Sequence, residues 1–341
     1  MSNRRFDHWS RREFLINLGL AGSAALLGLQ HDSFAAEAPP ETVSLRVLQR
    51  TDAACSPAPV LVAEELLRSE GFTDLQYVKA VGGAGAEKVL ASGEAHIGLH
   101  YAAPLITRLD AGDPIITVAG GHVGCFELFA SDKIRAIGDL KGKAVAVNAA
   151  SSTPGMLLTI MLRHVGLDPT KDVRWVIKPP AEQVQLLAEG KIDAFLAFAP
   201  TAQELHAKKI GRVIMNSAVD RPWSQYFCCV LVGNREFVRR NPVATKRAVR
   251  AILKGTDLCA LEPDRASRLL VERGLARRDY ALQMLRDLPY GKWREYDPED
   301  TMRFYALRLH EAGMIKSSPQ KILAQGTDWK FLRELKKELK T

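Results

Sequence analysis

The sequence has few cysteines and lacks the compact motifs that usually mark a catalytic or metal-binding site. Its 341 residues include five cysteines, none of them in a C-x-x-C or Cys/His spacing typical of a metal site. It contains no H-E-x-x-H, no G-x-S-x-G and no clustered pair of carboxylates. Residues 83–88 lack the third glycine of a dinucleotide fingerprint and the Gly-Lys-Ser/Thr ending of a phosphate loop. We therefore expect no catalytic residue, no metal and no cofactor.

Long basic runs and basic patches with interleaved aromatic residues are also missing, although the net charge is +8. Nucleic acid is therefore not an expected partner. The densest basic stretch, residues 330–340, has its apolar residues on one helical face. This pattern predicts an amphipathic terminal helix packed on the body of the protein, with membrane contact as the alternative.

The five cysteines are an odd number, which leaves at least one unpaired unless two chains are linked. Cys228 and Cys229 are adjacent within an apolar run. We expect buried thiols at both positions. A strained disulfide between these two neighbours is the alternative.

The N-terminus has the features of an export signal in the expected order. Ser10-Arg11-Arg12-Glu13-Phe14-Leu15 is a twin-arginine pattern, and residues 15–29 form an apolar segment that is short and glycine-rich for a membrane span. Small residues before Ala35 predict cleavage after that residue. We expect export of the folded chain by the twin-arginine machinery to the periplasm, with residues 1–35 as the signal peptide.

Short strands alternate with helices from residue 44 to residue 232, which predicts an α/β fold with mixed sheets flanked by helices. Residues 90–104 and 187–200 share one pattern: a helix end, a glycine, a short strand, an aromatic residue and a proline that starts the next helix. Their separation is too long for a solenoid repeat. The repetition predicts two similar lobes that hold a small ligand between them.

The chain after residue 232 is almost wholly helical in pattern. We expect these helices to form a C-terminal extension that wraps the first lobe. Lobe 1 is predicted to comprise residues 42–129 and 231–341, and lobe 2 residues 130–230. The crossovers between lobes are expected near residues 124–131 and 221–230.

Three predicted loops follow strands and precede helices, at residues 51–56, 81–85 and 148–153. In an open α/β sheet such loops meet at the carboxyl ends of the strands, where helix N-termini offer unpaired N–H groups to a ligand. Plain helix capping is the alternative for each loop taken alone. Tyr101 and Phe198 stand at equivalent strand ends, and we expect them to form opposing walls of one cleft, with core packing as the alternative.

His100 and His122 end or follow strands, where a structural hydrogen-bonding role is the alternative to ligand contact. The predicted ligand-binding residues are Thr51, Asp52, Cys55, Gly82, Gly83, Ala84, His100, Tyr101, His122, Ser151, Ser152, Thr153 and Phe198.

Several segments together carry a family resemblance that spans nearly the whole mature chain. They are VGGA at 81–84, LASGE at 90–94, DLKGKAVAV at 139–147, PPAE at 179–182, GKIDA at 190–194 and NREFV at 234–238. The set resembles periplasmic substrate-binding proteins of ABC importers, of the nitrate/sulfonate/taurine and thiamine-pyrimidine-precursor type. The sequence departs from that family at Phe198-Ala199-Pro200-Thr201, where many members carry tryptophan, glutamate, proline and tyrosine.

The resemblance implies a two-lobed, type II-like fold that closes on a hinge, and a function without catalysis. Such a protein captures a small anionic or heterocyclic ligand and delivers it to permease subunits in the inner membrane. We expect it to act as a monomer.

Two other functions stay open at this point. Tyr226-Phe227-Cys228-Cys229 loosely resembles the cysteine-rich stretch of the related pyrimidine synthases of thiamine biosynthesis, which would make the chain an exported enzyme. A periplasmic ligand sensor is the other alternative.

Overall fold

Two five-stranded mixed sheets, each flanked by helices, organise the chain. The structure is a computed structural model, and it describes residues 37–81 and 84–339. Residues Pro40–Thr341 form one unit. The predicted signal peptide, residues 1–35, lies outside the described residues, as do Gly82, Gly83 and the side chain of Ala84.

Each sheet is built from consecutive strands of the chain, with helices between them. One further strand of the first sheet comes from a later part of the chain. In chain order they are β1 (Ser44–Arg50), β2 (Asp74–Ala80), β3 (Ile97–Tyr101), β4 (Ile115–His122), β5 (Phe126–Ala130), β6 (Ala144–Val147), β7 (Arg174–Ile177), β8 (Ala194–Phe198), β9 (Arg212–Asn216) and β10 (Cys229–Asn234).

The first sheet has the order β2-β1-β3-β10-β4, and the second has the order β7-β6-β8-β5-β9. Strand β10 is antiparallel to both of its neighbours in the first sheet, and β5 is antiparallel to both of its neighbours in the second. The chain changes sheets between β4 and β5 and again between β9 and β10. The α/β fold with two similar halves is thus confirmed, while the division into lobes at residues 129/130 and 230/231 stays a prediction.

Helices cover both faces of these sheets, which explains why β3 and β10 are buried along their whole length. In chain order the helices are α1 (Pro57–Val62), α2 (Glu64–Ser69), α3 (Ala84–Ala91), α4 (Ala102–Asp110), α5 (Thr153–His164), α6 (Pro180–Ala188), α7 (Thr201–Lys208), α8 (Arg235–Arg240), α9 (Pro242–Leu261), α10 (Pro263–Glu272), α11 (Arg278–Asp287), α12 (Pro298–Glu311), α13 (Pro319–Gly326) and α14 (Lys330–Glu338). Short 3-10 helices occupy Ile137–Leu140, Trp223–Gln225 and Tyr290–Arg294.

The pair Thr153-Pro154 predicts an N-cap followed by the first residue of a helix, and α5 begins one residue earlier than that. Ser152 rather than Thr153 is the N-cap, and its hydroxyl accepts a hydrogen bond from the Gly155 amide at 3.3 Å. A Cβ atom at Gly155 would lie 2.5 Å from the carbonyl oxygens of Ala149 and Ala150. Glycine at this position therefore lets the helix start directly against the loop that precedes it.

The C-terminal helices pack mainly on the first sheet and its helices. Helix α9 lies against α1, and a Cβ atom at Gly255 would be 2.3 Å from the Pro59 carbonyl oxygen. The last helix, α14, buries Phe331, Leu332 and Leu335 on the body of the protein. The predicted amphipathic packing of this helix is thus confirmed. Within residues 37–81 and 84–339, helices that combine the length and the apolarity of a membrane span are absent.

Candidate functional site

A cavity of about 310 Å³ lies between the two sheets, where the carboxyl ends of their strands meet. Both halves of the chain contribute to its wall. The lining residues are Arg50, Asp52, Val81, Tyr101, Asn148, Ser152, Thr153, Pro154, Pro180, Gln183, Phe195, Leu196, Ala197, Phe198, Ala199 and Thr201.

The topology explains why these residues meet. Arg50, Tyr101 and Phe198 are the last residues of β1, β3 and β8, and parallel strands bring their carboxyl ends to one edge of a sheet. The opposite wall is made by the starts of helices.

Three helices of the second half point their N-termini at the cavity. Thr153, Pro180 and Thr201 are the first residues of α5, α6 and α7, and all three line it. The helix dipole gives each of these ends a partial positive charge, while Pro154 and Pro180 have no N–H to donate and the Gly155 amide is bonded to Ser152. The arrangement is suited to an anionic group of a ligand.

Arg50 adds a full positive charge from the first half of the chain. Its side chain is 4% exposed and forms a two-pronged ion pair with Asp52, at 3.1 Å from Nε to Oδ1 and 2.8 Å from Nη2 to Oδ2. Burial opposes the charge, but the neighbouring Tyr101 and Asp52 outweigh it and raise the pKa of Arg50. Arg50 Nη1 is buried without a hydrogen-bond partner among the residues that the structure describes. A buried donor of this kind gains free energy when a ligand supplies an acceptor.

Tyr101 and Phe198 form one aromatic wall rather than two opposing walls. Their ring centroids are 4.8 Å apart at an angle of 45°, so the rings touch each other and leave no space for a ligand between them. The Arg50 guanidinium lies 4.5 Å from the centroid of the Tyr101 ring. The prediction of facing walls is therefore wrong for this conformation, although both rings line the cavity.

Two predicted histidines lie outside the cavity lining. His100 is fully buried with Nε2 3.3 Å from a Glu87 carboxylate oxygen, and burial lowers its pKa to about 3. His122 contacts the Tyr290 ring at 4.5 Å between centroids, and burial lowers its pKa to about 4. Both imidazoles are thus neutral near pH 7.

Some of the other predicted residues line the cavity, and others lie outside it. Asp52, Ser152 and Thr153 line the cavity. Thr51 and Ser151 are exposed outside it. Gly82 and Gly83 lie outside the described residues, as does the side chain of Ala84. A ligand-binding role for any of these residues stays a prediction.

Cysteines gather behind the aromatic wall. Cys125 and Cys228 form a disulfide, so the expectation of a buried thiol is wrong for Cys228 and correct for Cys229. Cys55 is a buried thiol outside the cavity lining, and its Sγ lies 3.5 Å from the Tyr101 hydroxyl. The sulfur atoms of Cys55, Cys125 and Cys229 and the ring of His122 lie within 4.8 Å of one another. This cluster of four potential metal-ligating side chains, of which Cys125 is bonded to Cys228 here, is not indicated by their spacing in the sequence.

Several residues of the cavity are not among those predicted from the sequence. Arg50, Asn148, Gln183 and Thr201 line it, and the Gln183 amide donates to the Lys178 carbonyl oxygen at 2.6 Å. Arg50 and Asn148 each stand at or just after a strand end, the same signal that selected their neighbours. Gln183 lies inside α6, and only the packing of that helix brings it to the cavity.

Comparisons with known proteins agree with this architecture. The sequence model of the NMT1-like family matches residues 36–272. The taurine-binding periplasmic protein of Escherichia coli K12 is 27% identical over 226 residues, which are 66% of this chain and 69% of that protein. The nitrate/nitrite binding protein NrtA of Synechococcus elongatus PCC 7942 is 26% identical over 304 residues, covering 74% of this chain and 67% of that protein.

A solved structure shows the same fold. The periplasmic nitrate-binding protein NrtA of Synechocystis PCC 6803 superposes with a TM-score of 0.70, covering 89% of this chain and 90% of its own, at 16% sequence identity. A likeness at this identity establishes the periplasmic binding protein fold and leaves the choice of ligand to the site.

Proposed function

This chain belongs to the NMT1-like family, and we propose that it is the solute-binding component of an ABC importer. It captures a small ligand in the cavity between its two halves and delivers it to permease subunits in the membrane. Its relatives are named as a taurine-binding periplasmic protein and a nitrate/nitrite binding protein. We propose the periplasm as its location and the twin-arginine route as its means of export.

We infer the class of ligand from one observation: Arg50 and the N-termini of three helices line the same cavity. Arg50 comes from the first half, and the N-termini of α5, α6 and α7 come from the second. An anionic group between them would accept hydrogen bonds from both halves at once. We propose an anionic head group at this point and an apolar or heterocyclic body against the Tyr101–Phe198 wall.

The cavity also limits the size of the ligand. Its volume of about 310 Å³ lies at the low end of the range for small-molecule sites, roughly 300–1,000 Å³. We therefore propose a small ligand, such as a small sulfonate, an inorganic anion or a single heterocyclic ring.

The test is a thermal-shift screen of the purified protein followed by calorimetry of each hit. The screen contains taurine, other aliphatic sulfonates, nitrate, nitrite and pyrimidines. We expect a small anion to raise the melting temperature and to bind at one site per chain. After incubation, mass spectrometry should recover the ligand unchanged, whereas turnover would favour the exported-enzyme alternative.

A charge-neutral pair of substitutions tests the role of Arg50. Arg50→Gln combined with Asp52→Asn removes both charges of the buried ion pair and leaves side chains of similar shape. We expect Kd for the anion to rise about 10- to 100-fold, because hydrogen bonds to a charged group contribute about 1.5–3 kcal/mol.

The matched control is Arg250→Gln. Arg250 pairs with Glu70 at 2.7 Å in a similarly buried ion pair that does not line the cavity. The Kd of the Arg250→Gln variant for the anion should equal that of the wild type. Equal affinity in the Arg50/Asp52 double variant and the wild type would contradict the proposed anion site.

A further inference from the structure

We propose that Cys55, His122, Cys125 and Cys229 form a structural zinc site at the junction of the two halves. Three thiolates and one imidazole are a ligand set that zinc prefers in closed, four-coordinate sites. This site is separate from the ligand cavity and does not depend on which ligand the cavity holds.

The spacing of the ligand atoms fits a tetrahedral ion. Zinc binds thiolate sulfur at about 2.3 Å, so the edge between two ligands of a tetrahedron is about 3.8 Å. Cys125 Sγ lies 3.6 Å from Cys229 Sγ and 4.0 Å from His122 Nε2. All four ligand atoms lie within 4.8 Å of one another, so small side-chain adjustments complete the geometry.

The four side chains have the burial and the hydrogen-bond partners expected of metal ligands in a protein interior. All four side chains are buried, with at most 3% of any of them exposed. His122 Nδ1 lies 3.2 Å from the Val123 carbonyl oxygen, so the ring can donate there and present Nε2 to the ion. The Tyr101 hydroxyl lies 3.5 Å from Cys55 Sγ and is placed to donate to the thiolate.

Three of the four ligands lie at or next to the two connections between the sheets. His122 ends β4, Cys125 lies in the connection to β5, and Cys229 begins β10 after the return connection. Cys55 comes from the loop after β1. An ion held by all four would fix both connections to the first half of the molecule.

The disulfide between Cys125 and Cys228 belongs to the metal-free state. A dithiol reductant supplies the two electrons that convert this disulfide into two thiols. Zn²⁺ then displaces one proton from each of Cys55, Cys125 and Cys229, and the neutral His122 completes the site. Three protons are released, and Cys228 remains a thiol.

The predicted export route suits this order of events. The cytoplasm is reducing, and the twin-arginine route carries chains that have already folded. A chain loaded with zinc before export would keep Cys125 on the metal. An empty chain would form the Cys125–Cys228 disulfide in the oxidising periplasm.

The decisive measurement is the zinc content of the purified protein after reduction and anaerobic incubation with zinc, followed by removal of loosely bound metal. We expect about one zinc ion per chain. Substitution by Co²⁺ should give the sulfur-to-metal charge-transfer and ligand-field bands of a tetrahedral thiolate site. Cys229→Ser should retain less than about a tenth of the wild-type zinc, because a ligand is lost.

Cys228→Ser separates the metal site from the disulfide. This variant keeps all four proposed ligands and removes the competing partner of Cys125, so it should bind a full equivalent of zinc without added reductant. Cys259→Ser is the matched control, since Cys259 is a buried thiol outside the cluster. Its zinc content should equal that of the wild type.

Three results would overturn the proposal. One is a folded, reduced Cys228→Ser protein that binds neither zinc nor cobalt. Another is a Cys229→Ser protein with wild-type zinc content. The third is equal loss of zinc in Cys259→Ser, which would place the metal elsewhere. If Cys229→Ser does not fold, Cys228→Ser still decides the question.

Discussion

At the scale of single residues, burial controls which side chains carry charge. Arg50 keeps its charge because Asp52 and Tyr101 lie beside it. For His96, His100 and His122 burial is the largest effect, and it lowers the pKa of each imidazole to about 3 or 4, for His100 even with a Glu87 carboxylate oxygen 3.3 Å away. The protein thus offers a fixed positive charge at its cavity and several imidazoles that stay neutral in the folded state.

The low pKa of His96 predicts a loss of stability in mild acid. Burial, assisted by Arg46, lowers this pKa from 6.5 to about 4. Between these values the unfolded chain binds a proton that the folded chain does not, so stability falls as pH decreases from about 6.5 towards 4. From pH 7 to pH 5 this histidine should account for a loss of about 2 kcal/mol.

The variant His96→Asn isolates this effect. An asparagine oxygen can replace His96 Nδ1 as acceptor for the Arg46 amide, 3.2 Å away. Urea unfolding at pH 7 and at pH 5 should show a decline about 2 kcal/mol smaller in the variant than in the wild type. An identical decline in both proteins would mean that His96 is protonated in the folded state.

At the scale of helices and strands, the ends of strands and the starts of helices determine where the cavity lies. Strand ends supply side chains and helix starts supply partial positive charge, so the β-α alternation itself places a cavity with both polar and apolar lining at this edge of the sheets. The sequence predicts this alternation and the start of α5 to within one residue, and its predicted loops contain the cavity-lining residues Asp52, Val81 and Ser152. It does not predict that residues 57–70 divide into α1 and α2 at Ala63, because a single turn of distortion there leaves the apolar pattern unchanged.

Close packing of α9 on α1 gives a prediction for the C-terminal extension. In Gly255→Ala the added methyl group would lie 2.3 Å from the Pro59 carbonyl oxygen and 2.9 Å from Ala63 Cβ. The two helices would have to separate, at a cost of about 1–3 kcal/mol from overpacking. Urea denaturation should show this as a lower midpoint with an unchanged slope.

Gly85→Ala is the matched control for that substitution. Gly85 lies in α3, and an added Cβ atom would meet no heavy atom within 4 Å. Because alanine favours a helix more than glycine, the control should be more stable than the wild type by up to about 1 kcal/mol. If both substitutions stabilise the protein, the contact between α9 and α1 is looser than the structure indicates.

At the scale of the whole molecule, two connections join the halves around the cavity. The structure has the halves in contact: the Ala54 amide donates to the Ala199 carbonyl oxygen at 3.2 Å, and Tyr101 touches Phe198. A ligand that contacts Arg50 on one side and the helix N-termini on the other favours this conformation over one in which the halves are apart.

Small-angle X-ray scattering can test closure of the halves. We expect the radius of gyration of the purified protein to fall when a saturating anionic ligand is added, and the scattering of the bound form to match this structure. The Arg50/Asp52 double variant at the same ligand concentration should keep the larger radius. Unchanged scattering with a ligand that calorimetry shows to be bound would refute hinge closure.

The sequence by itself determined the class of fold, the pairing of two similar halves and the family. Each of these follows from local patterns: the period of apolar residues, glycine and proline at element ends, and short motifs that stay in order along the chain. The same patterns placed Asp52, Tyr101, Ser152, Thr153 and Phe198 in the set of candidate residues, and all five line the cavity.

Only the tertiary structure decided which of the candidates meet and which do not. Phe198 touches Tyr101 because β8 and β3, from separate sheets, end side by side. The cysteine and histidine cluster draws on Cys55, His122, Cys125 and Cys229. Two crossings between sheets bring these distant residues together. Local patterns cannot show such contacts, because they depend on how the sheets are connected and not on the spacing of residues along the chain.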